Sequence, residues 1–433
     1  MSADATPDQL RTARWVGALF LLVVLTQRFA VPGLPLALLV PVVVVWVLAA
    51  LGCGVVVIDR TRLALWLAAA GVTGLVMPVQ SALVPGAQIS VTAWGLLVVV
   101  WLPFAVRVVH GGPSAYLAML RYAVSIATGL AALAVAMAGS QLAGLGYRDW
   151  FAALVPQPLQ LTGFVITYPI AYGSTVLRAN AWIGLEPSIV SAQLGLGLVA
   201  AIFVRARLWK IALLIVGLVA TVSGSGIAIV AVGVLVMLVH RSRRLVFRYL
   251  PIAAVVAVAA AATPIGALLF ARLTEFKSAD SSTSLRAVQP YELLFPRWRS
   301  HLSGMLLGYG PGSSQRVVND TNIVGLLVPS PIKVFFEYGL LPGLVLAGFL
   351  LLCYWGGPSR AFGLSLLASL WLLQPGTTTM VVVAPLLVFV SLWSPRTGPP
   401  IEELDPSTPV ARHLPVGSTP EPPVRTFTSK GVS

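Results

Sequence analysis

Charged residues are scarce in this sequence. Only 10% of its 433 residues are charged, whereas 58% are hydrophobic, and charged residues make up about 25% of an ordinary soluble domain. This composition excludes a soluble globular protein. Apolar runs of roughly 18–22 residues recur along the chain and match a bilayer core of about 30 Å. They predict an all-α polytopic membrane protein, since a membrane β-barrel would show short alternating segments instead.

Cysteine, histidine and acidic residues are also few. The chain has two Cys, four His and 14 Asp or Glu, and none of them is grouped with the spacing of a metal site. No metal and no cofactor are therefore expected. Cys53 and Cys353 each lie within an apolar run, which predicts two buried thiols rather than a disulfide or a metal pair.

Basic residues outnumber acidic ones, 28 to 14, for a net charge of +14. They are spread over many short loops, so nucleic acid is not an expected partner. Loops at 60–62, 205–210 and 241–248 are basic, whereas loops predicted on the opposite side of the membrane, at 81–88 and 374–379, lack Lys and Arg. The positive-inside rule then predicts that both termini are cytoplasmic.

Hydropathy divides the chain into three parts. Residues 1–14 form a cytoplasmic N-terminus, residues 15–394 a transmembrane domain, and residues 395–433 a Pro-, Ser- and Thr-rich tail that we expect to be disordered. The join at 223–226 is short, and a re-entrant pair of helices there would leave every other loop on the same side of the membrane. About twelve spans are predicted, near 15–31, 34–58, 63–84, 90–109, 116–140, 188–204, 208–223, 225–240, 249–271, 331–354, 361–375 and 379–394.

Two longer polar stretches, at about 141–187 and 272–330, are predicted on the outer face. The second is basic, although the positive-inside rule concentrates Lys and Arg in cytoplasmic loops. Glu186-Pro187 and Ser330-Pro331 have the residue types of helix starts, with Pro at the first helical position and a side-chain oxygen before it as cap. A helix N-terminus attracts anions, so both starts are candidate phosphate sites; simple helix capping explains the same pattern.

Outer-stretch arginines are the candidates for binding phosphate, because Arg forms two-pronged hydrogen bonds with phosphate oxygens and stays charged. Contact with solvent or lipid headgroups is the alternative for each of them. Trp298 between two arginines is typical of a membrane-interface anchor. The candidates are Arg178, Arg286, Arg297, Arg299 and Arg316.

Two further features stand in the second stretch or just after it. Lys333 and Glu337 are one helical turn apart at the start of an apolar run, which indicates either an internal ion pair or a functional charge at the membrane. Gly308-Tyr-Gly-Pro-Gly312 lacks the preceding strand and the Lys of a nucleotide loop. It predicts a tight turn that brings backbone close to a ligand or a neighbouring helix.

Six short motifs follow one another along the chain. They are Arg178–Ser188, then Ser191-Ala-Gln193, Ser223–Gly226, Ser281–Arg286, Gly308–Gly312 and Pro331–Gly339. In this order they resemble the bacterial O-antigen and exopolysaccharide repeat-unit polymerases (Wzy-type) of the O-antigen ligase/polymerase superfamily. The related ligases usually have a His-Asn pair where this chain has Pro329-Ser-Pro331, which favours a polymerase over a ligase.

The resemblance implies a GT-C-like glycosyltransferase of the bacterial inner membrane with two large extracytoplasmic loops. It implies metal-independent transfer from a polyprenyl-diphosphate-linked oligosaccharide, with a flippase and chain-length or export proteins as partners. Arg178 and Arg286 would bind the diphosphate, and Glu186 would act as base or orient an arginine. Glu337 is a further catalytic candidate; the substrate-binding candidates are Ser188, Arg297, Arg299, Tyr309, Arg316 and Lys333.

A secondary transporter or lipid-glycan flippase is the competing interpretation. Both also have about twelve helices with cytoplasmic ends, and Gly54–Arg62 weakly resembles the major-facilitator loop motif. A transporter would place polar residues at the bilayer midplane in matching halves, whereas here they gather in the outer stretches. A non-catalytic membrane scaffold is a third interpretation, which leaves Lys333 and Glu337 without a role.

Overall fold

A computed structural model gives the fold. It describes residues 5–34, 36–170, 174–239, 246–251, 254–255, 258, 262, 284–321, 323, 325–393 and 401. Most of the predicted span at 249–271 therefore lies outside the described residues. So do residues 1–4, residues 241–245 of the basic loop, residues 272–283 of the second polar stretch, and the predicted tail at 395–433 apart from Ile401.

The described chain is mostly helical. Its helices are α1 (Pro7–Thr26), α2 (Leu39–Gly52), α3 (Arg60–Leu83), α4 (Val91–Trp101), α5 (Pro113–Leu142), α6 (Trp150–Leu154), α7 (Pro187–Phe203), α8 (Leu208–Thr221), α9 (Gly224–Val239), α10 (Ser284–Ala287), α11 (Gln289–Trp298), α12 (Leu302–Leu307), α13 (Ser313–Asn319), α14 (Ser330–Tyr338), α15 (Leu340–Trp355), α16 (Arg360–Leu366) and α17 (Met380–Leu386). Short 3₁₀ segments occupy Leu102–Ala105 and Gln157–Leu159, and π-helical turns Leu367–Trp371 and Leu387–Ser391 continue α16 and α17.

Three of these helices, α1, α3 and α5, are long and apolar enough to cross a membrane. Seven shorter apolar segments accompany them. This agrees with the predicted all-α membrane protein.

One strand pair departs from the all-α prediction among the described residues. Strands β1 (Val56–Ile58) and β2 (Val106–Val108) pair antiparallel. They replace the ends of the helices predicted at 34–58 and 90–109, since runs of β-branched residues suit a strand pair.

Helix α7 is the centre of the bundle and packs against α5, α8 and α9. All its residues except Ala192 are buried, as expected of a helix that is apolar all round. Small residues allow the close approach: Gly195 lies against the backbone of Gly226, and Gly197 lies against Ala127. This packing fixes the start of α7, which belongs to the candidate site.

The predicted span at 331–354 is wrong as a single helix, because the chain forms α14 and α15 with a break at Gly339. Gly339 has φ 69° and lies against the backbone of Leu306 and Gly308, which a side chain would prevent. Lys333 and Glu337 thus belong to a separate short helix. Cys53 is also not buried as predicted: it follows the end of α2 and is exposed, whereas Cys353 is buried.

Both predicted helix starts exist, but neither is capped as predicted. Helix α7 begins at Pro187 with Glu186 before it, and α14 begins one residue early, at Ser330. Neither start has a side-chain cap hydrogen bond. The Glu186 carboxylate and the Ser330 hydroxyl instead bond to groups on other elements.

Candidate functional site

The two polar stretches meet at the start of α7. Arg286 on α10 places its Nη2 atom 3.5 Å from Oε2 of Glu186. Ser188, on the first turn of α7, donates a hydrogen bond of 3.0 Å to the same carboxylate oxygen. Glu186 and Ser188 are each 7% exposed. An ion pair between segments a hundred residues apart therefore lies at the edge of the bundle, mostly shielded from water.

Tyr168 connects Arg178 with this pair. The Arg178 guanidinium lies over the Tyr168 ring, 5.4 Å from its centroid, and its Nε donates to the carbonyl of Pro169 at 3.2 Å. Burial raises the pKa of Tyr168, the Glu186 charge raises it further, and the Arg286 charge opposes this. We call Tyr168, Arg178, Glu186, Ser188 and Arg286 the Glu186 cluster; it joins three of the four predicted catalytic residues.

Burial dominates the electrostatics of Glu186. It raises the pKa of the carboxyl group above its usual value, while the Arg286 charge and the Ser188 hydrogen bond partly oppose the rise. Desolvation disfavours the charged form, and an adjacent cation or donor favours it. A carboxylate in such surroundings is a stronger proton acceptor than a solvated one.

The loop before α7 is strained and held from α1. Ala181 and Trp182 both have φ 57°, a left-handed conformation that costs free energy in residues with side chains. Arg28, 2% exposed, donates from Nη1 to the Trp182 carbonyl at 2.7 Å. The Leu185 N–H donates to Oε1 of Gln27 at 3.3 Å. Gln27 and Arg28, the two residues after α1, thus position the loop that carries Arg178 and Glu186.

Arg28 forms a two-pronged ion pair with Asp149, with Nη1–Oδ1 and Nη2–Oδ2 distances of 2.9 and 2.6 Å. Burial raises the pKa of Asp149, but hydrogen bonds from Arg28 and from the Ala152 N–H outweigh it, so the net pKa is below the usual value. The pair therefore stabilises the fold above the ordinary Asp pKa, and this contribution is lost as pH falls through the lowered pKa.

Replacement of Arg28 by Met is expected to lower the free energy of unfolding by about 3–5 kcal/mol, because it leaves a partly buried carboxylate and the Trp182 carbonyl without their donor. Denaturant unfolding of the detergent-solubilised protein measures this loss. The control is Arg148→Met, since Arg148 is exposed and stacks only on Trp150 at 4.4 Å. Equal stability of the two variants would contradict the assigned role of Arg28.

Lys333, Glu337 and Ser314 form a second cluster, which we call the Glu337 cluster. Lys333 Nζ lies 3.1 Å from Oε1 of Glu337, so the predicted internal ion pair is present. The Ser314 hydroxyl donates to the same oxygen. Glu337 is 3% exposed, and its backbone carbonyl accepts from Gln80 Nε2 at 2.8 Å. The cluster fastens α13 and α3 to α14.

The glycine-rich segment forms the tight turn that the sequence predicts. Gly308, Gly310 and Gly312 have φ between 80° and 97°, a range open to glycine. The turn lies against a neighbouring helix: the N–H groups of Tyr309 and Gly310 donate to the carbonyls of Phe336 and Glu337, both at 2.9 Å.

A cleft of about 280 Å³ opens beside this turn. We call it the loop cleft. Arg297 and Asp320 give it one charge of each sign, and the Tyr309 hydroxyl donates to the Arg297 carbonyl at 2.7 Å. Its lining is otherwise rich in uncharged hydrogen-bonding groups. The polar lining residues are Gln88, Arg297, Ser300, His301, Tyr309, Ser313 and Asp320.

The remaining predicted phosphate ligands do not join the Glu186 cluster through any contact that the described residues show. Arg297 lines the loop cleft. Arg316 is exposed and donates to Oε1 of Gln88 at 3.2 Å. Arg299 is exposed and stacks on Phe295 at 5.4 Å. The five arginines that the sequence offers as phosphate ligands therefore do not form a single site among the described residues.

Gln374 links the starts of α7 and α14. The Ser330 hydroxyl donates to the Gln374 carbonyl at 3.3 Å, and Gln374 Nε2 donates to the Ser225 hydroxyl at 3.0 Å. Ser188 and Gln374 line one narrow cavity of about 20 Å³, together with Gln193, whose amide atoms have no partner among the described residues. Both helix starts thus lie at one end of the bundle.

Sequence reasoning missed four residues that hold these sites together: Arg28, Gln80, Tyr168 and Ser314. Arg28 had a signal, since it is a charge within a predicted apolar run at 15–31 and such charges are costly. Tyr168 and Ser314 had none, because nothing in their local sequence indicates a partner, and the partners of Gln80 lie more than 200 residues away.

Comparison of the chain with protein-family models, with curated proteins and with solved structures gives no match to any of them. Among the described residues, no group of three or more His, Cys, Asp or Glu side chains could hold a metal ion.

Proposed function

We propose that this protein is an integral-membrane glycosyltransferase that polymerises polyprenyl-diphosphate-linked oligosaccharide repeat units. The observation that carries the proposal is the Arg286–Glu186 ion pair at the start of α7. The pair places a cation for a departing diphosphate beside a carboxylate of raised pKa, and Arg178 lies over the ring of Tyr168 in the same cluster. We also propose about twelve spans, a GT-C-like arrangement, and a bacterial inner-membrane location with this end of the bundle on the extracytoplasmic side.

The reaction requires one proton transfer and one displacement. A hydroxyl group of the acceptor saccharide attacks the anomeric carbon of the donor, and its proton passes to the Glu186 carboxylate. The bond between that carbon and the diphosphate oxygen breaks, and both electrons leave with the lipid diphosphate. Arg286 and Arg178 stabilise the charge that develops there, and the positive end of α7 adds to this field.

The loop cleft is the proposed place for the acceptor saccharide. Its one positive and one negative side chain balance, and its other polar groups can donate to and accept from sugar hydroxyls. The Glu186 cluster, in contrast, has two arginines against one glutamate. Sugar and diphosphate would thus bind to surfaces of different charge.

The test is turnover by the purified full-length protein in lipid nanodiscs. Its substrate is the lipid-linked oligosaccharide extracted from the producing cells, with no nucleotide sugar added. Longer lipid-linked glycans together with released polyprenyl diphosphate are the expected products. Transfer to a different acceptor would indicate a ligase instead, and the absence of any released diphosphate would overturn the glycosyltransferase proposal.

The acid limb of kcat/KM is expected to lie above the ordinary glutamate pKa of about 4.3, because burial raises the pKa of Glu186 and only the ionised form accepts a proton. Ser188→Ala removes a donor to the carboxylate. The pKa should then rise further and move the acid limb to higher pH. The pH profile of lipid diphosphate release measures both.

Ser314→Ala is the matched control, because Ser314 donates to Glu337 in the same way. Its acid limb should coincide with that of the unmodified protein. A shift with Ser314→Ala and none with Ser188→Ala would identify Glu337 as the base and contradict the role of Glu186.

A transporter or lipid-glycan flippase is the second candidate. Buried polar atoms of Gln193, Ser365 and Ser369 have no partner among the described residues, and such groups inside a helix bundle are typical of a transport pathway. Movement of the lipid-linked oligosaccharide across vesicles, without chain extension, is the result that this candidate requires.

A further inference from the structure

Three large apolar residues are exposed in the segment from Val288 to Leu302. Val288, the residue before α11, is 46% exposed, Phe295 on α11 43%, and Leu302 at the start of α12 67%. Leu294, next to Phe295 on α11, is fully buried in a small core with Val318 and other residues. Helix α11 is thus packed against the protein, and the exposure of Phe295 is not a consequence of loose packing. We call Val288, Phe295 and Leu302 the apolar ridge.

The ridge continues the surface of the membrane helices. Helix α12, which begins at Leu302, packs against α3 and α15. The adjacent end of α3 exposes Leu83, at 61%, and the adjacent start of α15 exposes Leu341 and Leu344, at 60% and 59%. These are apolar positions on the outside of helices that are themselves apolar.

A row of aromatic rings fixes α11 at this level. Phe295 and Trp298 have centroids 5.7 Å apart, and Trp298 lies 6.2 Å from Phe335. Phe335 in turn lies against Gly343 on α15. The ridge is therefore held beside the first turns of α15 and cannot extend freely into water.

Arg299 borders the ridge. It is exposed and forms no ion pair with any residue that the structure describes. Its guanidinium carbon lies over the exposed Phe295 ring, 5.4 Å from the centroid, so a positive charge stands at the apolar surface. The segment has one acidic residue, the exposed Glu292.

From this geometry we infer that the apolar ridge lies in the headgroup layer of the membrane, where Arg299 binds the phosphates of anionic phospholipids. Amphipathic helices with basic residues beside an apolar face bind membrane surfaces in this way. The inference does not depend on the proposed function.

Site-directed spin labels on the full-length protein test the depth of the ridge. The labels are attached at Phe295→Cys and Leu302→Cys in a Cys53→Ser background, in nanodiscs of phosphatidylcholine with phosphatidylglycerol. Power saturation compares access of oxygen, which concentrates in lipid, with access of a water-soluble nickel complex. Leu344→Cys is the lipid control and Asn319→Cys the water control, since both positions are exposed.

Both ridge labels are expected to lose nickel access relative to position 319 and to gain oxygen access toward the level of position 344. Nickel access equal to that at position 319 would overturn the inference. Protection from both reagents would also overturn it, because a protein surface would then cover the ridge.

The charge part of the inference has its own measurement. Arg299→Gln, or discs of phosphatidylcholine alone, should increase nickel access at position 302. The matched control is Arg148→Gln, since Arg148 is also an exposed arginine stacked on an aromatic ring, and it should leave the value unchanged. Nickel access at position 302 that responds to neither change would refute the role of anionic lipid.

Discussion

Replacement of Arg286 by Met is expected to reduce kcat of glycosyl transfer by about 100- to 1,000-fold, equivalent to about 2.7–4 kcal/mol of transition-state stabilisation. Arg286 is the cation that lies 3.5 Å from the Glu186 carboxylate, so its loss removes a fixed charge from the departing diphosphate. Release of polyprenyl diphosphate measures kcat. Arg148→Met should retain full activity, because Arg148 is exposed, stacks on Trp150 and belongs to neither cluster.

The same substitution leaves the buried Glu186 carboxylate without its cation, so unfolding has to be measured beside activity. The double variant Arg286→Met/Glu186→Gln removes both charges and should recover most of the lost stability. It should not recover transfer. Activity that returns together with stability would show that the pair is structural, and the proposed mechanism would then be wrong.

The ion pair of the Glu337 cluster is expected to dominate the stability of the segment from α13 to α14. Lys333→Met leaves Glu337, 3% exposed, as an unpaired buried charge, and this should cost about 3–5 kcal/mol of unfolding free energy. Glu337→Gln should cost a similar amount, because Lys333 is left unpaired. Denaturant unfolding in detergent measures both.

The double variant Lys333→Met/Glu337→Gln separates a structural role from a catalytic one. Glu337 is bonded through both its carboxylate and its backbone carbonyl, so we interpret it as a residue that positions α13 beside α14. The double variant should then regain stability and most of its transfer activity. Stability that returns without transfer would place Glu337 among the catalytic residues.

The resemblance to repeat-unit polymerases rests on short motifs, and the structure changes how two of them are understood. The Gly308–Gly312 turn lies against Phe336 and Glu337, so its glycines serve a close backbone contact. The motif Pro331–Gly339 is a short helix that ends at a positive-φ glycine and is separate from the apolar helix α15 that follows it. The Arg178–Ser188 motif, in contrast, does supply two charged groups to one cluster.

Local properties of the sequence determined the helical membrane class, most helix positions and the start of α7 at Pro187. Hydropathy and proline placement act within one segment, and no distant partner is needed to interpret them. The pairing of Lys333 with Glu337 was predictable for the same reason, since one helical turn separates them.

Only the tertiary structure decided which arginines are neighbours. Arg286 meets Glu186 because α10 lies at the start of α7, whereas Arg297 and Arg299 lie on another face of the same polar stretch. Sequence spacing does not specify such contacts, because they depend on how rigid helices pack. Arg28 holds Trp182 and Asp149 across more than a hundred residues, and that contact exists only once α1 and the loop before α7 are brought together.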